Sequence, residues 1–108
     1  MSQFTNYGYD RVRSFVHSTF DSIGIGNDTT EFKRFDNVAN TVEGRIIAYT
    51  LQVNNTDNAF TGNTVNIAKI YENNIATEHI AEATFTDFTY NSVDDLLTLT
   101  IRVEIPTL

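Results

Sequence analysis

Two histidines are the residues of this chain best suited to acid–base chemistry or metal binding. His17 and His79 are its only histidines, and the chain contains no cysteine. A Ser/His/Asp triad or a zinc site could use either one, but neither lies in a motif with ligand spacing. Without cysteine, a disulfide framework and a thiolate metal site are both excluded. We interpret both histidines as ordinary surface or half-buried side chains.

Oxygen ligands occur together at two polar turns. Asp94 and Asp95 are adjacent, and residues 27–29, Asn-Asp-Thr, follow Gly24 and Gly26. Such residues commonly cap turns and stay solvated. The EF-hand spacing is absent, and the glycine pair lacks the third glycine and the helix of a dinucleotide fingerprint. The sequence therefore assigns no catalytic, cofactor-binding or metal-binding residue and no cofactor. Whether the turn at Asn27 binds a cation stays open.

Aromatic residues crowd the first third of the chain. Such rings can stack on sugars or bases, although packing in a core or an interface is their commoner use. Seven Lys and Arg stand against fourteen Asp and Glu, for a net charge of −7, and no basic patch is visible. That balance argues against nucleic-acid binding and against anionic membranes. The aromatic residues concerned are Tyr7, Tyr9, Phe15, Phe20, Phe32 and Phe35.

Length and composition predict one globular domain over residues 1–108. The chain is 41% hydrophobic and 19% charged, a balance typical of folded proteins rather than disordered ones. No apolar run approaches the ~18 residues that span a bilayer. Residues 1–10 lack the charged start and apolar stretch of a signal peptide. We expect a protein made in the cytoplasm with no membrane partner.

One segment near the N-terminus has the spacing of a helix. Residues 9–19 place four side chains on one face, and Asp10 is the predicted N-cap. Gly24 and Gly26 follow and end any helix. The predicted buried face consists of Val12, Phe15, Val16 and Thr19.

The rest of the chain alternates apolar and polar residues, as strands do. Residues 31–41 are predicted as a loop with an edge strand or a helical turn, and a bulge near residues 82–84 reconciles the faces of the strand there. Pro106 ends the last strand. The predicted fold is mostly β, an antiparallel β-sandwich of jelly-roll-like type with one short N-terminal helix. The predicted strands are 20–25, 45–53, 64–71, 77–89 and 97–105.

The order of these segments resembles a family of short virion proteins of tailed bacteriophages and related archaeal viruses, of the tail or tail-fibre type. The similar segments are a glycine-containing stretch at 20–30, a charged stretch at 31–34, and strands at 45–53 and 96–105. Residues 68–71, Ala-Lys-Ile-Tyr, depart from the family's Glu-apolar-Gly-apolar motif. The resemblance implies a β-sandwich that assembles as a ring or multimer and has no enzyme activity.

Two classes of function follow from this. The leading hypothesis is a non-enzymatic structural protein of the virion, a homo-oligomer in the tail, collar or baseplate that contacts other virion proteins. The alternatives are a receptor- or carbohydrate-binding β module at a fibre tip and a capsid decoration protein. The last strand bears on assembly, because a row of five apolar residues must be covered by a facing sheet or a neighbouring subunit. That row is Leu97, Leu99, Ile101, Val103 and Ile105.

Overall fold

The computed structural model describes residues 3–106 as one helix followed by seven strands. The predicted domain 1–108 thus includes four terminal residues, 1, 2, 107 and 108, that lie outside the described part. No helix within residues 3–106 has the length and apolarity needed to cross a membrane. The elements are α1 (Asn6–Thr19), β1 (Ser22–Gly26), β2 (Glu31–Phe35), β3 (Asn40–Glu43), β4 (Ile46–Asn54), β5 (Thr64–Tyr71), β6 (Ala81–Thr89) and β7 (Leu96–Glu104).

The strands form two antiparallel sheets, as predicted. One sheet has four strands in the order β2-β1-β5-β6, and the other has three in the order β3-β4-β7. Every pair of neighbours runs antiparallel. The sandwich-like, mostly β architecture with one N-terminal helix is therefore confirmed. The jelly-roll connectivity is not, because a jelly roll has eight strands and the described residues form seven.

Both sheets contribute side chains to one hydrophobic core. Ile23 and Ile25 of β1 are fully buried, as are Ile47 and Val53 of β4. In β7 the predicted alternation is confirmed, because the odd-numbered residues from 97 to 103 are buried or half-buried and the even-numbered residues are exposed. Burial of each such aliphatic side chain contributes about 1.5–3 kcal/mol, so the period of two along the chain selects the face that meets the core.

Helix α1 begins earlier than predicted. Its N-cap is Thr5, whose hydroxyl accepts a hydrogen bond from the Gly8 N–H at 3.1 Å, and not Asp10. Phe4 packs edge-on against Tyr9 with ring centroids 5.4 Å apart. That contact joins the residue before the cap to the fourth helical residue and fixes the direction in which the chain enters the helix.

The buried face of α1 also differs from the predicted one. Tyr9 and Arg13 are its buried residues, whereas Phe15 is 59% exposed. Val16, which was placed correctly, packs against the core together with Phe20. The prediction for Phe15 was wrong because spacing alone does not identify which of two apolar stripes meets the sheets.

Four predicted segments differ from the structure in whole or in part. The segment 31–41, predicted as a loop with an edge strand or a helical turn, contains β2 and the start of β3, and both are edge strands. The strand predicted at 20–25 is β1, which begins at Ser22 and ends at Gly26. The strand predicted from residue 77 begins at Ala81. The predicted bulge at 82–84 lies further along, because Thr84 pairs with Ile67 and Phe88 pairs with Val65. By contrast, β5 has its predicted bounds, and β4 and β7 are each shifted by one residue.

Candidate functional site

The two histidines lie against different sheets. On α1, His17 makes a hydrogen bond through Nδ1 to the side chain of Asn40 in β3. His79 makes one through Nε2 to Glu82 at 2.9 Å, and its ring lies 6.0 Å from that of Tyr71. Within residues 3–106, no three His, Asp or Glu side chains come together as a group that could hold a metal ion. Each histidine thus makes a hydrogen bond to one polar side chain, His17 to Asn40 and His79 to Glu82.

In each of the two polar turns, a side-chain oxygen accepts hydrogen bonds from backbone N–H groups of the same turn. The carboxylate of Asp95 accepts hydrogen bonds from the N–H groups of Asn91 and Ser92 at 2.6 and 3.0 Å. The side-chain oxygen of Asn27 accepts from the N–H groups of Thr29 and Thr30, both at 3.1 Å. Both arrangements close a turn on itself, as Asn and Asp side chains commonly do. Asp94 is exposed in the same turn as Asp95.

A cluster around Arg34 lies on part of the outer face of the four-stranded sheet. The guanidinium lies 3.5 Å from the centroid of the Tyr71 ring and contacts the Glu31 carboxylate at 2.9 Å. It also donates to the carbonyls of Asn73 and Ala76 at 3.1 and 2.6 Å. Burial, followed by the nearby Glu31 charge, raises the pKa of Tyr71. Arg34 therefore connects the sheet to the segment between β5 and β6 through its hydrogen bonds to the two carbonyls.

Gly24 makes this cluster possible. The Glu31 side chain crosses directly over Gly24, so a Cβ atom there would collide with the carboxylate. The sequence contained the charged stretch at 31–34, but nothing in it indicated that Tyr71 and the segment after it would lie beneath Arg34. Gly24 thus allows the Glu31 side chain to pack closely on the sheet.

The six aromatic residues of the first third separate into two groups. Phe32 and Phe35 pack on Phe60, with ring centroids 6.3 and 6.4 Å away. Tyr9 and Phe20 face the interior. Tyr7 and Phe15 point outward and are 73% and 59% exposed. Core packing therefore explains four of the six rings and leaves two unexplained.

Three exposed rings lie on the helix or just before it, and we define these three, Phe4, Tyr7 and Phe15, as the aromatic face. Within α1, residues 7, 11 and 15 follow the spacing of four that aligns side chains on a helix, and Phe4 precedes the N-cap. Phe4 is 60% exposed. Phe15 packs edge-on against Phe20, with centroids 5.9 Å apart, just as Phe4 packs on Tyr9. Phe4 and Phe15 are thus each held against an inner ring while their other sides face solvent.

Arg13 anchors the opposite side of the helix. Its side chain is 4% exposed and contacts Asp10 at 3.2 Å. Through Nε and Nη2 it donates to the carbonyl of Ile105 at 3.2 and 2.7 Å, just beyond β7. Buried charges need such partners, because an uncompensated one is strongly destabilising. Arg13 was not singled out from the sequence, although its spacing of four from Tyr9 places both on one helix face.

Two buried tyrosines tie loops to the core. The Tyr49 hydroxyl donates to the carbonyl of Phe20 at 2.7 Å, and the Tyr90 hydroxyl donates to that of Val53 at 2.7 Å. Burial raises the pKa of each to about 12, with smaller contributions from Asp21 and Asp95 respectively. Tyr90 is fully buried and packs on Phe60 and Phe88.

A scan against models of protein families, a search of curated proteins and a search of solved structures return no match for this chain.

Proposed function

We propose that the chain is a non-enzymatic structural protein that assembles through protein–protein contacts, as a multimeric component of the tail, collar or baseplate of a tailed virus. The aromatic face is the observation that carries the assembly role. The assignment to a virion rests on the resemblance in segment order, from the glycine-containing stretch at 20–30 to the last strand.

The aromatic face has the composition of an interaction surface. Aromatic residues are enriched at protein interfaces, where large rigid rings bury much area at little entropic cost. Tyr7 and Phe15 each leave more than half of their surface in water. Arg11, which lies between them at the same helical spacing, is exposed as well, and arginine is also enriched at interfaces.

The size of this surface limits what it can do alone. Complete burial of three such rings contributes roughly 3–5 kcal/mol, given about 1.5–3 kcal/mol per side chain and their partial exposure. Association loses an estimated 4 kcal/mol or more in translational and rotational freedom. A stable multimer therefore needs a second contact in addition to the aromatic face.

The alternative of a sugar-binding module is less well supported by the geometry. Sugar sites combine aromatic rings with polar groups in a concave surface, whereas the aromatic face lies on the convex surface of a helix and just before it. Two clefts of the described residues, one bordered by Gly24, Asn27 and Lys69 and one by Asp21, Asp36 and Glu72, are lined by no aromatic side chain.

The proposal is tested in two steps. Mass spectrometry of purified particles should find the chain as a multicopy component, and its absence would contradict the virion role. In solution, replacing Phe4, Tyr7 and Phe15 by serine should shift sedimentation towards the monomer. Ile75→Ser is the control, because Ile75 is 81% exposed but lies away from the helix. If Ile75→Ser shifts sedimentation as much as the serine variant of the aromatic face does, the aromatic face is not an assembly surface.

A further inference from the structure

Strand β7 ends the three-stranded sheet with a long and regular edge. It pairs with β4 on one side over nine consecutive residues, from Leu96 to Glu104, without a shift in register. On its other side the sheet order places no strand. An edge of this length offers a row of backbone donors and acceptors to another strand.

The other three edges of the described sheets are shorter or interrupted. Strand β2 has five residues and a register irregularity, and it carries Lys33 and Arg34. Strand β3 has four residues. Strand β6 has an irregularity and carries Glu82 and Asp87. Short length, bulges and charge are the devices by which proteins block edge pairing, and the first part of β7 has none of them.

The hydrogen bonds to β4 determine which groups of β7 point outward. The N–H of Ile105 donates to the carbonyl of Arg45 at 2.9 Å, in the register that continues the ladder of β4 and β7. Odd-numbered residues of β7 therefore bond to β4, because N–H and C=O of one residue point to the same side in an antiparallel strand. Five residues are left with outward backbone groups: Leu96, Thr98, Thr100, Arg102 and Glu104.

We propose that β7 pairs antiparallel with β7 of a second copy of this chain, about a twofold axis at Thr100. This proposal rests on the assembly function proposed above and identifies its second contact. With Thr100 opposite Thr100, all five outward-facing residues pair. Shifting the partner strand by two residues in either direction leaves only four residue pairs, and in one direction it sets Pro106, which has no N–H to donate, opposite Leu96.

The side chains suit the same register. On the inner face, Leu97 lies opposite Val103 and Leu99 lies opposite Ile101 of the other copy, which extends the half-buried apolar row across the junction. On the outer face, Thr100 meets Thr100, a favourable cross-strand pair. Arg102 lies opposite Thr98, so no like charges face each other. The contact is isologous, as a twofold dimer requires.

Cysteine scanning tests the pairing directly, because the chain has no cysteine. Opposed residues of a hydrogen-bonded pair have Cα atoms about 5.5 Å apart, within the range that a disulfide spans. Thr100→Cys should form covalent dimers on mild oxidation. Thr98→Cys and Thr50→Cys should form at least tenfold less, because both sites lie roughly 14 Å from their copies. Thr50 is a matched control, since it is exposed and pairs with Thr100 inside one subunit.

A second variant gives an independent measurement. Thr100→Lys sets two positive charges against each other and should raise the dimer dissociation constant at least tenfold relative to Thr50→Lys in sedimentation experiments. If the chain forms multimers but Thr100→Cys crosslinks no better than Thr50→Cys, the pairing of β7 is wrong and the assembly function stands. Crosslinking that favours Thr98→Cys overturns the axis at Thr100. A wild-type chain that stays monomeric, and is absent from particles, overturns both proposals.

Discussion

The two sheets of this protein differ in the side-chain contacts that cross their strands and in the regularity of their edges. In the four-stranded sheet, side chains cross from strand to strand, with Arg34 lying on Tyr71 and holding the loop beyond it. The three-stranded sheet has a regular edge, and its ion pair between Arg45 and Glu104 is long, at 3.6 Å, and exposed. We infer that the side-chain contacts that stabilise the fold are concentrated in the four-stranded sheet, whereas the proposed contact with a second copy uses the three-stranded sheet.

The largest expected effect tests the inner face of the three-stranded sheet. Ile101 is 6% exposed in β7, so Ile101→Asp buries an unpaired carboxylate and should destabilise the fold by more than about 4 kcal/mol. Thermal melting followed by circular dichroism measures this. Thr100→Asp, on the exposed face of the same strand, should fold normally. A well-folded Ile101→Asp protein would show that the faces of β7 are assigned incorrectly.

The next largest effect is a difference in stability between two arginine variants, one at each sheet. Arg34→Ala removes a stacked ring contact, an ion pair and two hydrogen bonds to carbonyls, and should cost about 2–3 kcal/mol. Arg45→Ala removes an exposed pair and should cost less than about 1 kcal/mol. Urea unfolding of both variants gives the free energies. If the two variants lose similar amounts of unfolding free energy, the side-chain contacts of Arg34 do not stabilise the four-stranded sheet more than the exposed ion pair stabilises the other sheet.

Alkaline pH should weaken the fold through the two buried tyrosines. In the unfolded chain their pKa is near 10, and burial raises the pKa of Tyr49 and Tyr90 to about 12 in the folded protein. The stability that they contribute is complete below pH 10 and is lost as pH rises towards 12. Unfolding free energies from pH 8 to 12, together with tyrosinate absorbance, measure this loss. A flat profile over that range would contradict the burial of these hydroxyls.

The smallest effect concerns a single hydroxyl group. Tyr90→Phe keeps the ring, which lies 4.8 Å from both Phe60 and Phe88, and removes the hydrogen bond to Val53. It should cost about 1–1.5 kcal/mol, the usual contribution of one buried hydrogen bond. The same substitution at the exposed Tyr7 is the control and should change stability by less than about 0.5 kcal/mol. Chemical denaturation resolves the difference.

Much of the fold could be predicted because a strand leaves a pattern of alternating polar and apolar residues over a few neighbouring positions. The alternation in β4, β5 and β7 placed them to within one residue, since side chains on opposite faces of a strand meet water or the core in turn. The short strands β2 and β3 lie in a polar segment for which only one edge strand, or a helical turn, was predicted. Their pairing with β1 and β4 depends on partners far along the chain, and a four-residue strand carries too little periodicity to be recognised.

The candidate surfaces were predictable only in part. The concentration of aromatic residues near the N-terminus was visible, and so was the apolar row of β7. Which rings would be exposed was not, because Phe15 belongs by spacing to the predicted buried stripe and yet faces solvent. Asn55 is polar and yet fully buried, and it accepts a hydrogen bond from the Phe60 N–H at 2.8 Å.

The amino-acid sequence by itself determined the mostly β class, the N-terminal helix and the inward row of the last strand. These follow from composition and from periods of 2 and 3.6 residues, which act over a few neighbours. Only the tertiary structure decided that Arg34 lies on Tyr71 and that β7 is left at an edge. Each of these depends on which distant segments pack together, and that is settled by the burial of the whole core at once.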